Sequence, residues 1–201
     1  DRLVALSRAL IGRIRGGLAQ VNVLVSMFFA GMNGSVVADT ATVGALVLPA
    51  MKKAGYPAAF SAAVTGVSST IGGIIPPSIM MIVLANSTEI SIAALFAAGI
   101  IPGVLIGIVI MVINHFFAIK YNFERSDEPF SIRRAGKELY RSSFALLIPL
   151  VLVGSVMGGV ASVVEAGAIT AMVALLTGVF VYRTIKWKEC TGAFRRAFRN
   201  S

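Results

Sequence analysis

Gly31-Met32-Asn33-Gly34-Ser35-Val36-Val37-Ala38-Asp39-Thr40-Ala41-Thr42-Val43-Gly44 is the stretch on which the fold turns. It breaks an apolar run with Gly, Ser and Asn, and it carries one acid. Between Arg15 and Lys52, Asp39 is the only charge. A carboxylate at bilayer depth costs a few kcal/mol or more, so it faces protein or a watery cavity and serves an ion or substrate path. The helix-breaking residues beside it free backbone groups that must find other partners. Broken backbone next to one acid points to a cation site.

Working outward, composition sets the class. With 57% hydrophobic and 13% charged residues among 201, and a mean hydropathy of +0.86, a soluble domain would lack the polar residues to cover itself. The chain is expected to be an integral membrane protein. Its net charge of +9 does not indicate nucleic acid. The 18 basic residues fall in four clusters, Arg2 to Arg15, Lys52-Lys53, Lys120 to Arg141 and Arg183 to Arg199, and clusters flanking apolar runs are what the positive-inside rule produces. Cys190 is alone and can form no internal disulfide. The chemistry of catalysis is missing as well: there is no Cys/His metal set, no Gly-x-x-x-x-Gly-Lys loop, and only His115 for any Ser/His/Asp triad. The expectation is no enzyme and no cofactor beyond a coupling ion. The start at Asp1 and the basic end after an apolar run suggest an internal fragment of a longer permease.

The basic clusters also divide the chain. Residues 1–15 are basic and amphipathic, either a helix at the cytoplasmic interface or the end of an upstream helix. Residues 16–53 have basic flanks on both sides, so the chain enters and leaves on the cytoplasmic side. Two full spans satisfy that, and so does a re-entrant hairpin. Each arm holds about 16 to 18 residues, at or below the roughly 17–25 needed to span, which favours the hairpin. Packing alone accounts for Gly31, Gly34 and Gly44 but leaves Asp39 unexplained. Residues 57–86 form a span broken at Gly72-Gly73-Ile74-Ile75-Pro76-Pro77-Ser78, since paired Pro cannot donate backbone bonds. An unwound mid-depth segment exposes carbonyls to a cation. The loop Asn86 to Ser91 lacks Lys and Arg and reads as outside. A span over 92–119 kinks at Pro102-Gly103, a cytoplasmic connector covers 120–142, two spans cover 143–158 and 163–182, and a basic tail covers 183–201. Glu165 is read as either a second polar site or an interfacial residue.

These residues carry a family resemblance. Gly34-Ser35-Val36-Val37-Ala38-Asp39-Thr40-Ala41, Leu48-Pro49-Ala50-Met51-Lys52-Lys53-Ala54-Gly55-Tyr56, Ser69-Thr70-Ile71-Gly72-Gly73-Ile74-Ile75-Pro76-Pro77-Ser78 and Ala97-Ala98-Gly99-Ile100-Ile101-Pro102-Gly103 resemble the large permease subunit of tripartite ATP-independent periplasmic (TRAP) transporters. So does the close Val179-Phe180-Val181-Tyr182-Arg183. The resemblance implies an all-α, polytopic helical membrane protein of the bacterial inner membrane, half of an inverted-repeat, elevator-type transporter. It implies sodium-coupled uptake of small organic carboxylates, a periplasmic substrate-binding protein and a small membrane subunit as partners besides lipid, and no nucleic acid. Carried over residue by residue, it puts sodium among Asn33, Gly34, Ser35 and Asp39 on the hairpin and Ser69, Thr70, Gly72 and Gly73 on the span. It puts substrate near Ser35, Thr42, Pro76, Pro77 and Ser78. The family commonly has Pro where Gly73 stands, and Thr-Pro-Thr-Glu where this chain has Ser162-Val163-Val164-Glu165. Another ion-coupled anion permease of hairpin design, or a non-transporting membrane assembly module, remain the alternatives.

Overall fold

The structure, a computed structural model, describes residues 2–11, 14–123 and 131–181. The expectations for the basic tail, including Cys190 and Tyr182-Arg183, and for residues 124–130 of the connector lie outside the described residues. Among the described residues the elements are all helical: α1 (Arg2–Ile11), α2 (Gly17–Asn33), α3 (Val36–Lys53), α4 (Ala58–Ser69), α5 (Ile79–Thr88), α6 (Ile92–Lys120), α7 (Ile132–Met157) and α8 (Val163–Leu176). A 3-10 turn, Thr70–Gly73, follows α4, and a π-helical turn, Thr177–Val181, follows α8. The chain is an all-α membrane fold. Two of its helices, α6 and α7, are long and apolar enough to cross a bilayer.

Helix α2 ends at Gly34, whose φ of 59° closes it in the left-handed conformation, and Ser35 begins α3 by accepting from the Ala38 N–H at 3.4 Å. One Gly and one N-capping Ser therefore make the turn, as helix-end chemistry favours. The two arms pack on each other and on α4. Their shared core is mostly β-branched: Val21, Val23, Val25, Val43, Val47, Val64 and Ile71, with Met51 and Tyr56. At about 1.5 Å per residue, the 17 residues of α2 and the 18 of α3 give arms near 26 Å long. Helix α6, with 29 residues, is about 43 Å long by the same rise.

The α2–α6 contacts show how far the hairpin reaches. Gly16 lies against Ala118, Gln20 Nε2 donates to the Met111 carbonyl at 2.8 Å, and Met27 covers Gly107. The hairpin thus climbs α6 from its C-terminal end. The break that meets the hairpin tip lies against Gly99 and Gly103, so the first turns of α6 extend past it.

At the other end an aromatic cluster closes the base. Tyr56 and Phe123 have ring centroids 4.5 Å apart, Phe60 and Phe123 5.0 Å, and Lys120 Nζ lies 5.6 Å from the Tyr121 ring. Aromatics beside Lys52, Lys53 and Lys120 are the composition of a membrane interface. Helix α1 packs on α2 and α7, burying Leu3, Leu6, Ala9 and Ile11.

Within the connector, α7 is helical from Ile132, just after Ser131, and its basic first turns and apolar remainder are one helix. Helix α6 contains Pro102 within its length. Glu165 also gains a defined place. Its carboxylate accepts from the Ser162 N–H and hydroxyl, both at 2.8 Å, while Ser162 Oγ accepts from the Glu165 N–H at 3.4 Å. This capping box starts α8.

Candidate functional site

Helix α4 stops at Ser69, the 3-10 turn carries the chain to Gly73, and irregular backbone leads through Pro76 and Pro77 to Ser78, which starts α5. Ser78 holds the two halves together, since its hydroxyl donates to the Gly73 carbonyl at 2.8 Å and accepts from the Met81 N–H at 3.3 Å. The prolines supply no donors, so neighbouring groups complete the break. The hairpin tip does so directly, with the Ile79 N–H donating to the Gly34 carbonyl at 3.2 Å.

The approach is close. A Cβ at Gly34 would strike the Pro77 carbonyl, and one at Gly72 would lie 3.7 Å from Asp39 Cβ and 3.8 Å from the Ser35 carbonyl. Gly73 faces Val36. Opposite, Gly99 and Gly103 of α6 admit the break: a Cβ at Gly99 would sit 2.5 Å from the Ile74 carbonyl oxygen, and one at Gly103 would strike the Ile75 side chain.

Ser35 and Asp39 meet Gly72 here, and Gly34 meets Pro77. Asn33 shapes the tip, its Oδ1 accepting from the Ser35 N–H at 3.2 Å. Pro76, Pro77 and Ser78 are buried. Thr42 is half-buried on α3. Thr70 is different: it is exposed and donates to the Val67 carbonyl at 2.7 Å, turning outward from the hairpin.

Asp39 is fully buried, and neither carboxylate oxygen has a hydrogen-bond partner. The side chains of Ser26 and Ser69 face it, and the buried Ser69 hydroxyl is likewise unpartnered. Orphaned buried carboxylate oxygens are rare because burial without compensation is costly. Oxygen atoms from α2, α3 and the end of α4 thus surround a place suited to a hard cation.

Behind it runs a buried polar ladder that sequence reading missed. Asn22 Nδ2 donates to Thr65 Oγ1 at 2.7 Å, Ser68 Oγ donates to Asn22 Oδ1 at 3.2 Å, and Ser68 and Ser26 hydroxyls are 3.0 Å apart. Spacing was the available signal: Asn22 and Ser26 are four apart, and Ser61, Thr65 and Ser68 fall four and three apart, each set on one helix face.

The arrangement is that of a membrane permease: a helical hairpin docked into an unwound segment, with an unpartnered acid enclosed between them. The chain belongs to the family described as the tripartite ATP-independent periplasmic transporter, DctM component, whose model matches residues 1–201. It is 36% identical over 189 residues to the C4-dicarboxylate TRAP transporter large permease protein DctM of Pseudomonas aeruginosa, covering 94% of this chain and 44% of that protein. It is also 36% identical over 189 residues to the sialic acid TRAP transporter permease protein SiaT of Haemophilus influenzae, covering 94% and 30%. With the 2,3-diketo-L-gulonate TRAP transporter large permease protein YiaN of Escherichia coli the identity is 36% over 196 residues, covering 96% and 46%. The chain therefore spans less than half the length of these relatives. All three are named as transporter permeases, not as enzymes.

Proposed function

We propose that this chain is the hairpin-bearing part of a multi-pass permease of the bacterial inner membrane. The permease takes up small organic carboxylates together with sodium. A periplasmic binding protein delivers the substrate, and a small membrane subunit completes the transporter. The hairpin is re-entrant, and it moves with the broken span as part of an elevator.

The observation that carries the reading is the enclosed, unpartnered Asp39 beside Gly72, where the hairpin meets the break. Sodium suits such an oxygen-lined site. Coupling also has an energetic reason, because moving an anion into a negative interior costs about 2.3 kcal/mol per charge per 100 mV, and a co-transported cation offsets it. Arms near 26 Å, shorter than the roughly 30 Å hydrocarbon core, support re-entry. So does the level at which the tip meets the break, against Gly99 and Gly103 rather than at the start of α6. The relatives' names, which specify a dicarboxylate, sialic acid and a diketogulonate, support an acidic organic substrate. Tip and break, with Ser35, Thr42, Pro76, Pro77 and Ser78, form its side of the substrate site.

The test is uptake by the complete permease with its partners in proteoliposomes. Uptake is expected to require sodium and to be lost in Asp39→Ala. Transport that runs equally well on a proton gradient without sodium, or an Asp39→Ala variant with unchanged uptake, would overturn the assignment.

A further inference from the structure

We infer that Ser26, on the first arm of the hairpin, is a third-helix ligand of the coupling cation, held in its binding orientation by Ser68, Thr65 and Asn22. The inference rests on the sodium-coupled reading above and adds residues from α2 and the body of α4 to it.

Hydrogen accounting carries the argument. A hydroxyl has one hydrogen and two lone pairs. Asn22 Nδ2 donates to Thr65 Oγ1 at 2.7 Å, and Thr65 Oγ1 donates onward to the Ser61 carbonyl at 2.9 Å. The single hydrogen of Ser68 Oγ lies between two acceptors, Asn22 Oδ1 at 3.2 Å and the Thr65 carbonyl at 3.1 Å. Either hydroxyl could donate across the 3.0 Å contact between Ser26 and Ser68; Ser26 is taken as the donor because a Ser68 hydrogen turned to Ser26 would leave the buried Asn22 Oδ1 without one. With its hydrogen on Ser68, Ser26 has only lone pairs to turn toward Asp39.

Neither oxygen of Asp39 makes a hydrogen bond of normal geometry, nor does the Ser69 hydroxyl, and all three atoms are buried; the Ser69 hydroxyl lies near the carboxylate and can turn its lone pairs to a cation there. Ser26, Asp39 and Ser69 are each fully buried. A buried carboxylate whose oxygens make no hydrogen bond of normal geometry is costly, and a positive charge placed among it and the two hydroxyl oxygens relieves that cost. The Asn22 amide lies 3.6 Å from Met51 Sδ, so the ladder is fixed to α3 as well as α4. Three helices thus present oxygen to one point, and an oxygen-only set suits a small, hard alkali cation.

The experiment uses the complete permease with its small membrane subunit. Sodium is titrated against thermal unfolding of the purified complex and against uptake in proteoliposomes, and sodium-free unfolding reports whether each variant folds. Ser26→Ala is expected to raise the sodium concentration for half-maximal stabilisation by about tenfold or more, whereas Ser26→Thr, which keeps the hydroxyl, stays close to wild type. Ser68→Ala removes the acceptor that holds the Ser26 hydrogen, freeing it to turn toward Asp39 and compete with the ion. It is expected to weaken sodium binding without touching the ion, and it carries the test if Ser26→Ala does not fold. A wild type that ignores sodium overturns both this inference and the sodium-coupled function. A sodium-dependent wild type with Ser26→Ala and Ser68→Ala titrating normally overturns this inference alone. Stabilisation that follows pH instead of sodium places a proton on Asp39 where the cation is proposed, and also overturns it.

Discussion

Asp39 and Gly34 show how the site depends on single residues. Asp39 is fully buried with neither carboxylate oxygen in a hydrogen bond of normal geometry, and on that observation the proposed cation site rests. Gly34 lets the tip approach. Its φ of 59° is left-handed, a region that costs a residue with a Cβ about 1–2 kcal/mol, and the Pro77 carbonyl occupies the space a Cβ would need. Gly34→Ala is therefore expected to destabilise by at least about 1–2 kcal/mol and to reduce sodium-dependent uptake sharply, measured by unfolding of the purified complex and by transport. Wild-type values in both would show that the tip does not need this close approach.

At the scale of the element, α6 is the surface on which hairpin and break are both seated. Gly99, Gly103 and Gly107 recur every four residues and are buried, while most of the helix around them is exposed and apolar. Small residues at this spacing let backbones approach in membranes. The three positions differ in what a methyl group would meet. At Gly99 it meets a backbone carbonyl, that of Ile74, whereas at Gly107 it meets the flexible Met27 side chain. Met repacks more easily than main chain. Gly99→Ala is thus expected to cost more stability and more uptake than Gly107→Ala, and equal losses, measured side by side, would contradict the seating of the break on Gly99.

For the whole molecule the question is which side each end faces. On the proposed topology the aromatic and basic base around Lys52, Lys53 and Lys120 faces the cytoplasm, and the loop at Glu89 the outside. In a cysteine-free background, with Cys190 replaced, a membrane-impermeant thiol reagent added outside intact cells is expected to label Glu89→Cys. Lys53→Cys should label only after permeabilisation, and Ser35→Cys should label in a manner that sodium suppresses. Labelling of Ser35→Cys like an external loop, with or without sodium, would replace the hairpin by two full spans. The long exposed apolar faces of α6 and α7 suit a chain that spans less than half the length of its relatives.

Sequence alone determined the membrane class and the broken segments and singled out Asp39, because a charge inside an apolar run and paired prolines inside a helix-forming stretch have few physical solutions. The Ser162-x-x-Glu165 capping box is a local pattern that spacing carries, although the sequence reads Glu165 as a polar site or an interfacial residue. Tertiary structure decided what local pattern cannot encode. Thr70 turns outward although it adjoins Ser69, because Ser69 ends α4 facing the hairpin and the next residue falls on the other side of the turn. Ser26 and Asn22 lie 13 and 17 positions before Asp39 in sequence, and only the pairing of α2 with α4 links them to Ser68 and Thr65. Asp39 was legible as the odd charge in an apolar run, while which oxygens lie around it depended on how three helices pack, a property of contacts distant in sequence.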